Sequence, residues 1–185
     1  MLMALLKMSR AVWRPFHAGE GRRHCLTFML DGVRFGIDTR FITQVLPWGI
    51  LAIPHDKPTC VRGFLRHDER MIPVLDIAAR YGHNPLTPGK RTCLLVLSIG
   101  LGRWQHEVAL MVDEVLSVQG FAADALRPVP EAAHRMMQVE VVEGLLKQKD
   151  GFLIALDALR LLPDEELYAL VTYIRQTWPC EGRQR

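Results

Sequence analysis

Residues 61–82 and 142–163 carry the same order of apolar and polar positions and align without a gap. Val61, Gly63, Leu65, Leu75 and Asp76 of the first stretch recur as Val142, Gly144, Leu146, Leu156 and Asp157 of the second. Weaker echoes precede them, Ile37-Asp38 returning as Val112-Asp113 and Ile53-Pro54 as Val129-Pro130. A repeat of this length is a small domain duplicated, which predicts two similar halves that share a core.

Within each half the pattern is that of short strands and turns. Leu26–Leu30 runs into Asp31-Gly32, a strong hairpin signal, and continues as Val33–Ile37. Arg40–Leu46 is the next strand, broken by Pro47-Trp48-Gly49, and Ile50–Ile53 is a short one that stops at Pro54. His55–Pro58 reads as a loop. Val61–Arg66 and Met71–Asp76 pair around His67-Asp68-Glu69-Arg70, and Ala78–Tyr81 reads as a helical turn. Asn84–Lys90, with two prolines and a glycine, is the best linker in the chain. Thr92–Ile99 is almost continuously apolar, as a strand buried on both faces should be. Gly100–Arg103 turns it into His106–Val112. Val115–Val118, a loop through Arg127-Pro128-Val129-Pro130, Met136–Leu146 and Phe152–Leu156 complete the second half. Pro163 then opens a helix over 163–178, with Asp164-Glu165-Glu166 in its first turn, where acids suit the helix dipole. Leu167, Leu170, Val171, Ile174 and Trp178 form its apolar stripe, the side that packs on the body. Short strands at this spacing predict a mainly β fold of small closed barrels, because closure removes exposed edges.

The duplicated body follows a basic leader, residues 1–24, with Lys7, Arg10, Arg14, Arg22 and Arg23 against Glu20. Its apolar spacing leaves two readings, a disordered tail and a short amphipathic helix over 1–14. A cleaved secretory signal is disfavoured, since the apolar run precedes the first basic residue. The chain's net charge of +3 comes from this leader, and the body is close to neutral. A nucleic-acid binder should carry its basic charge on the folded face, so the body argues against one. With 49% hydrophobic residues the 185-residue chain has enough apolar surface for a core. It has no apolar run of transmembrane length, so no direct membrane insertion is expected. Cys25, Cys60, Cys93 and Cys180 stand far apart with no C-x-x-C pair, which points to a reducing, cytoplasmic setting.

Catalytic chemistry finds little support. Gly89-Lys90-Arg91-Thr92 lacks the upstream glycine of a phosphate loop. Gly100-x-Gly102 continues to Gln105 where a dinucleotide fingerprint needs glycine, and a strand follows instead of a helix. Ser98 misses the first glycine of a nucleophile elbow. The histidines are scattered without metal-ligand spacing, so no metal or other cofactor is called for. His67-Asp68 is the one local pair with catalytic potential, and it lies on a charged turn whose simpler role is solvation. Asp76 and Asp157 fall at the same repeat position, each after a strand ending in leucine, and read as caps of the backbone turn that follows.

Several strings, in this order, carry a resemblance: Phe35-Gly36-Ile37-Asp38; Val61-Arg62-Gly63-Phe64 with Met71-Ile72-Pro73-Val74-Leu75-Asp76-Ile77; Leu110-Met111-Val112-Asp113; Leu126-Arg127-Pro128-Val129-Pro130-Glu131; and Glu143-Gly144-Leu145 with Leu153-Ile154-Ala155-Leu156-Asp157. Together they resemble the CheW-like domain of bacterial chemosensory coupling proteins and of the regulatory domain of the histidine kinase CheA. The resemblance spans residues 25 to about 170. It implies two SH3-like five-stranded β-barrels on a common hydrophobic core with a C-terminal α-helix, the barrel halves near 25–88 and 89–162 with a segment exchanged between them. It implies no catalytic activity and no cofactor. Its partners would be a CheA-type histidine kinase and the cytoplasmic tip of a methyl-accepting chemoreceptor, the tip lying in the groove between the barrels. The groove positions here are Ile42, Gln44, Asp68 and Cys93, with Val45 beside them. The chain departs from the family at this groove. Arg66-His67-Asp68-Glu69 stands where the family reads Asn-Leu-Arg-Gly, so that an arginine has become Asp68, and Gln44 replaces a common glutamate. A member with a specialised partner is therefore the alternative adaptor reading. A basic small β-barrel binding nucleic acid through Trp48 and Trp104 is the reading from another class.

Overall fold

The computed structural model describes residues 22–59, 61–80, 84–101, 104–130 and 139–179. Its strands are β1 (Arg22–Leu30), β2 (Val33–Asp38), β3 (Ile42–Pro47), β4 (Val61–His67), β5 (Arg70–Leu75), β6 (Cys93–Leu101), β7 (Trp104–Val112), β8 (Glu114–Ala122), β9 (Leu126–Arg127), β10 (Val142–Gln148) and β11 (Gly151–Leu156). A helical turn α1 (Ile77–Arg80) follows β5, and helix α2 (Asp164–Thr177) ends the fold.

The strands form two sheets, β8-β1-β2-β11-β10-β9 and β3-β6-β7-β5-β4. Neither sheet is made from one half of the chain. The leading hairpin of each repeat pairs with the trailing strands of the other, through parallel contacts of β2 with β11 and of β5 with β7. The segments 25–88 and 89–162 are thus repeats in sequence, while each sheet in space draws on both. Sequence periodicity alone does not reveal this exchange, because either pairing buries the same apolar faces.

The hairpins of the repeat superpose in register. Val61 pairs with Leu75 and Gly63 with Val74, and likewise Val142 with Leu156 and Gly144 with Ala155, each with a bulge at the same place. The repeated glycine has a packing cause. A Cβ on Gly63 would lie 2.9 Å from Cβ of Leu51 and 3.0 Å from the carbonyl oxygen of Ala52. One on Gly144 would lie 2.7 Å from the carbonyl oxygen of Arg127. In each half a crossing segment lies flat against the hairpin, bridging Ala52 to Phe64 in one and adding the two-residue β9 to β10 in the other. The β1–β2 turn has positive φ at Asp31 (50°) and Gly32 (74°), as a two-residue hairpin of this hand requires.

Both repeated aspartates are caps. Asp76, buried, accepts hydrogen bonds from the backbone N–H of Ala79 (3.1 Å) and of Leu86 (2.9 Å). Asp157 accepts from the N–H of Leu159 (3.0 Å). The core runs through both sheets, joining Leu26, Phe28 and Ile37 to Leu95, Leu97 and Leu110. Helix α2 closes it with Leu167 and Leu170, while Val171, Ile174 and Trp178 lean on it from the edge. Phe64 is fully buried against the rings of Tyr173 (5.5 Å between centroids) and Trp178 (4.8 Å).

Some expectations need correction. Ile50–Ile53 is not a strand: only Ala52 makes a bridge, and the segment crosses the surface. The first strand begins at Arg22, three residues before Cys25, because Arg22–His24 continue the ladder with Gly120–Ala122. A short 3-10 turn, Thr39–Phe41, precedes β3. The leader up to residue 21, Cys60, Cys180, Met136 and the centre of the 100–103 turn lie outside the described residues.

Candidate functional site

Among the described residues, strand β3 is an edge of the five-stranded sheet, paired with β6. An edge strand presents one row of side chains and backbone groups to a partner. Ile42 and Val45 are half-buried and lean on the core, and Gln44 is half-buried beside them. Between them Thr43 is exposed and donates from Oγ1 to the carbonyl oxygen of Val96 (3.2 Å). The Thr43 hydroxyl also comes within 3.5 Å of Oε1 of Glu107 on β7, whose other oxygen pairs with Arg70 at the start of β5. This chain of contacts sets the β4–β5 turn, and with it Asp68, at the Ile42 end of β3.

Asp68 is exposed and has φ 53°, a left-handed backbone that aspartate tolerates better than most residues. Its Oδ2 is 3.9 Å from Nε2 of His67, too far for the hydrogen bond a catalytic dyad would need. Cys93 lies at the other end of the ladder, opposite Pro47, and is only 7% exposed. Burial raises its thiol pKa, and Sγ donates to the carbonyl oxygen of Arg91 (3.0 Å). The structure places Ile42, Gln44 and Val45 on edge strand β3 and Asp68 on the β4–β5 turn, with β6 and β7 between them in the sheet. It leaves Cys93 inside, as support for the strand rather than part of its surface.

A second face adjoins the first. Trp48, Gly49, Ile50, Leu51, Ile53 and Arg62 line a shallow depression of about 460 Å³. Ile50 is 96% exposed and Ile53 66%. Exposed isoleucines on one loop form the kind of apolar patch that marks a protein contact. The apolar pattern does not mark this face, because Ile50–Ile53 reads there as a short strand that stops at Pro54. The available signal was the brevity of that run between Gly49 and Pro54, too short to alternate.

The cluster of Asp38, Arg40, Arg23 and Glu143 is structural. Asp38, buried at the end of β2, receives hydrogen bonds from the backbone N–H (2.9 Å) and Nε (3.1 Å) of Arg40 and from Nη2 of Arg23 (3.1 Å). Arg23 also pairs with Glu143 on β10. Burial opposes ionisation of Asp38, but the bonds and charge of Arg40, with those of Arg23, outweigh it and hold the carboxyl below its usual 3.8. A depressed carboxyl pKa stabilises the fold above the unfolded value and loses that contribution as pH falls through the folded one. Asp38→Asn is therefore expected to lower stability at pH 7 by roughly 1–3 kcal/mol. The gap from wild type should close as denaturant titrations move below about pH 4. A constant gap across that range would contradict the assignment. Among the described residues, no cluster of His, Cys, Asp and Glu is arranged to hold a metal, and no helix is long and apolar enough to cross a membrane.

The family model of the CheW-like domain matches residues 24–166. The chemotaxis protein CheW of Klebsiella aerogenes is 26% identical over 152 residues, covering 82% of this chain and 88% of that protein. The CheW of Rhizobium meliloti is 21% identical over 151 residues, 81% of this chain and 94% of the relative. The crystal structure of the scaffolding protein TtCheW from Thermoanaerobacter tengcongensis superposes with a TM-score of 0.69 at 21% identity, covering 84% of this chain and 99% of that one. It shares the mainly β architecture of two SH3-like barrels. The duplicated hairpins, the exchanged strands and the match across nearly the whole folded body make this chain a member of the CheW-like domain family, a non-enzymatic scaffold of chemotaxis signalling.

Proposed function

We propose that the chain couples the cytoplasmic tip of a chemoreceptor to a CheA-type histidine kinase, each on its own face of the five-stranded sheet. The receptor tip lies along β3, against Ile42, Gln44, Val45 and the Asp68 turn. The kinase's regulatory domain covers the apolar face of Trp48, Ile50, Leu51 and Ile53. The observation that supports this reading is an edge strand with half-buried apolar and polar side chains followed by a loop with exposed Ile50 and Ile53, since an adaptor must hold two partners at once. A helix in a groove is anchored by apolar side chains and oriented by a few polar ones, and β3 offers both kinds. Such a protein works in the cytoplasm, where a receptor tip lies.

Asp68 tests the receptor face. Asp68→Arg reverses a charge at the rim, so receptor affinity should change in the direction set by the charge opposite. The change should shrink as salt rises, because such contacts are screened over about 10 Å at 0.1 M. Arginine at a positive φ should also lower stability by about 1 kcal/mol, whereas Asp68→Gly removes the charge and relaxes the backbone. Titrating both variants against a receptor-tip fragment at two salt concentrations separates charge from backbone. Equal affinities throughout would remove Asp68 from the interface. Alanine at Ile42 or Val45 is a poorer test, because both side chains lean on the core and their loss costs stability as well.

A further inference from the structure

The loop that carries Ile50 and Ile53 has few ties of its own. Ala52 exchanges two backbone hydrogen bonds with Phe64, both 2.8 Å, and Lys57 N–H reaches the carbonyl oxygen of Pro54 at 3.4 Å. Lys57 Nζ also donates to the carbonyl oxygen of Val61 at 2.6 Å, and a further tie comes from far along the chain. The hydroxyl of Tyr173, on helix α2, donates to Oδ1 of Asp56 at 2.8 Å. The Tyr173 ring stacks on Phe64, the residue to which Ala52 is bridged. The helix itself leaves the other sheet, through β11 and the Asp157 cap. One tyrosine thus meets the loop twice, through its ring on Phe64, which Ala52 bridges, and through its hydroxyl on Asp56.

We infer that Tyr173 is a positioning residue for the partner face, its hydroxyl holding Asp56 so that Ile50 and Ile53 stand out as one ordered patch. The inference rests on the kinase-face reading above. A loop ordered before contact loses less conformational freedom on binding, so the bond contributes to affinity without touching the partner. The hydroxyl sits at the surface and the ring does the packing, so Tyr173→Phe removes the tie and keeps the core.

The test compares Tyr173→Phe, Asp56→Ala, the double variant, Asp56→Asn and Ile53→Asp in the full chain, with purified CheA-type kinase of the same genome as the probe. Amide exchange at 52–57 should quicken in Tyr173→Phe while exchange in β6 and β7 stays as in wild type. Kinase affinity should fall about 3- to 10-fold, the range for one hydrogen bond. Asp56→Ala should match it and the double variant should be no worse, because both remove the same bond. Asp56→Asn keeps an acceptor and should bind as wild type does. Receptor-tip affinity should stay unchanged in all five. Unchanged exchange at 52–57 in Tyr173→Phe would overturn the inference, as would quickened exchange with undiminished affinity. If Ile53→Asp leaves kinase affinity intact, the face itself is wrongly assigned and the inference falls with it, which separates the two failures.

Discussion

Phe64→Ala is expected to destabilise the protein by roughly 3–5 kcal/mol, the range for truncating a fully buried phenylalanine. Phe64 has no exposed surface and packs against the rings of both Tyr173 and Trp178, which also meet each other, so its removal opens a cavity in this three-ring cluster. The lost contacts exceed the transferred area, because ring pairs at these separations add about 0.5–1.5 kcal/mol beyond burial. For a chain of this length each kcal/mol corresponds to about 2–4 °C in Tm, so thermal unfolding should move down by more than about 6 °C. The loss should be felt at both helix α2 and the 50–58 loop, since Phe64 also bridges Ala52. A shift of only a degree or two would mean that the aromatic cluster does not fasten the helix to the barrel.

The second large effect concerns binding rather than folding. Ile50→Asp with Ile53→Asp should weaken kinase binding at least about 100-fold, as loss of a central apolar anchor does at many interfaces. Stability should hardly change, because Ile50 and Ile53 are exposed and absent from the core. Aspartate is a stronger probe here than alanine. It keeps the loop solvated in the free protein and places an unpaired charge in any dry interface. Titration of the variant against the kinase, beside a melting curve, checks both halves. An unchanged affinity would move the kinase contact elsewhere on the molecule.

Much of this fold is legible in the sequence. The Val-x-Gly-x-Leu and Leu-Asp pattern repeated because each copy meets the same local demands. The glycine admits a crossing segment, and the aspartate caps the turn after the hairpin. The stripe of helix α2 was legible because it obeys helical spacing over three turns. What the apolar pattern hides is non-local, the exchange between halves being implied by the family resemblance alone. The exchange of hairpins between repeats preserves every buried face, so no pattern of apolar positions distinguishes it. The exposure of Ile50 depends on which segment crosses Gly63. Cys93 looked like a surface position by resemblance, yet its ladder partner Pro47 and the core behind it leave it buried. The sequence puts Asp68 on a turn of four residues, His67–Arg70, where the structure extends the strands to His67 and Arg70 and gives Asp68 a left-handed backbone.

The central claim is that one chain holds receptor and kinase together. Co-sedimentation of CheA-type kinase with receptor reconstituted in membranes, with and without this protein, tests it most directly. Kinase should pellet with receptor only when the protein is present. The Ile50→Asp/Ile53→Asp variant should pellet with receptor but leave the kinase in solution. Equal recovery of kinase without the protein, or a protein that remains in solution beside both partners, would contradict the claim.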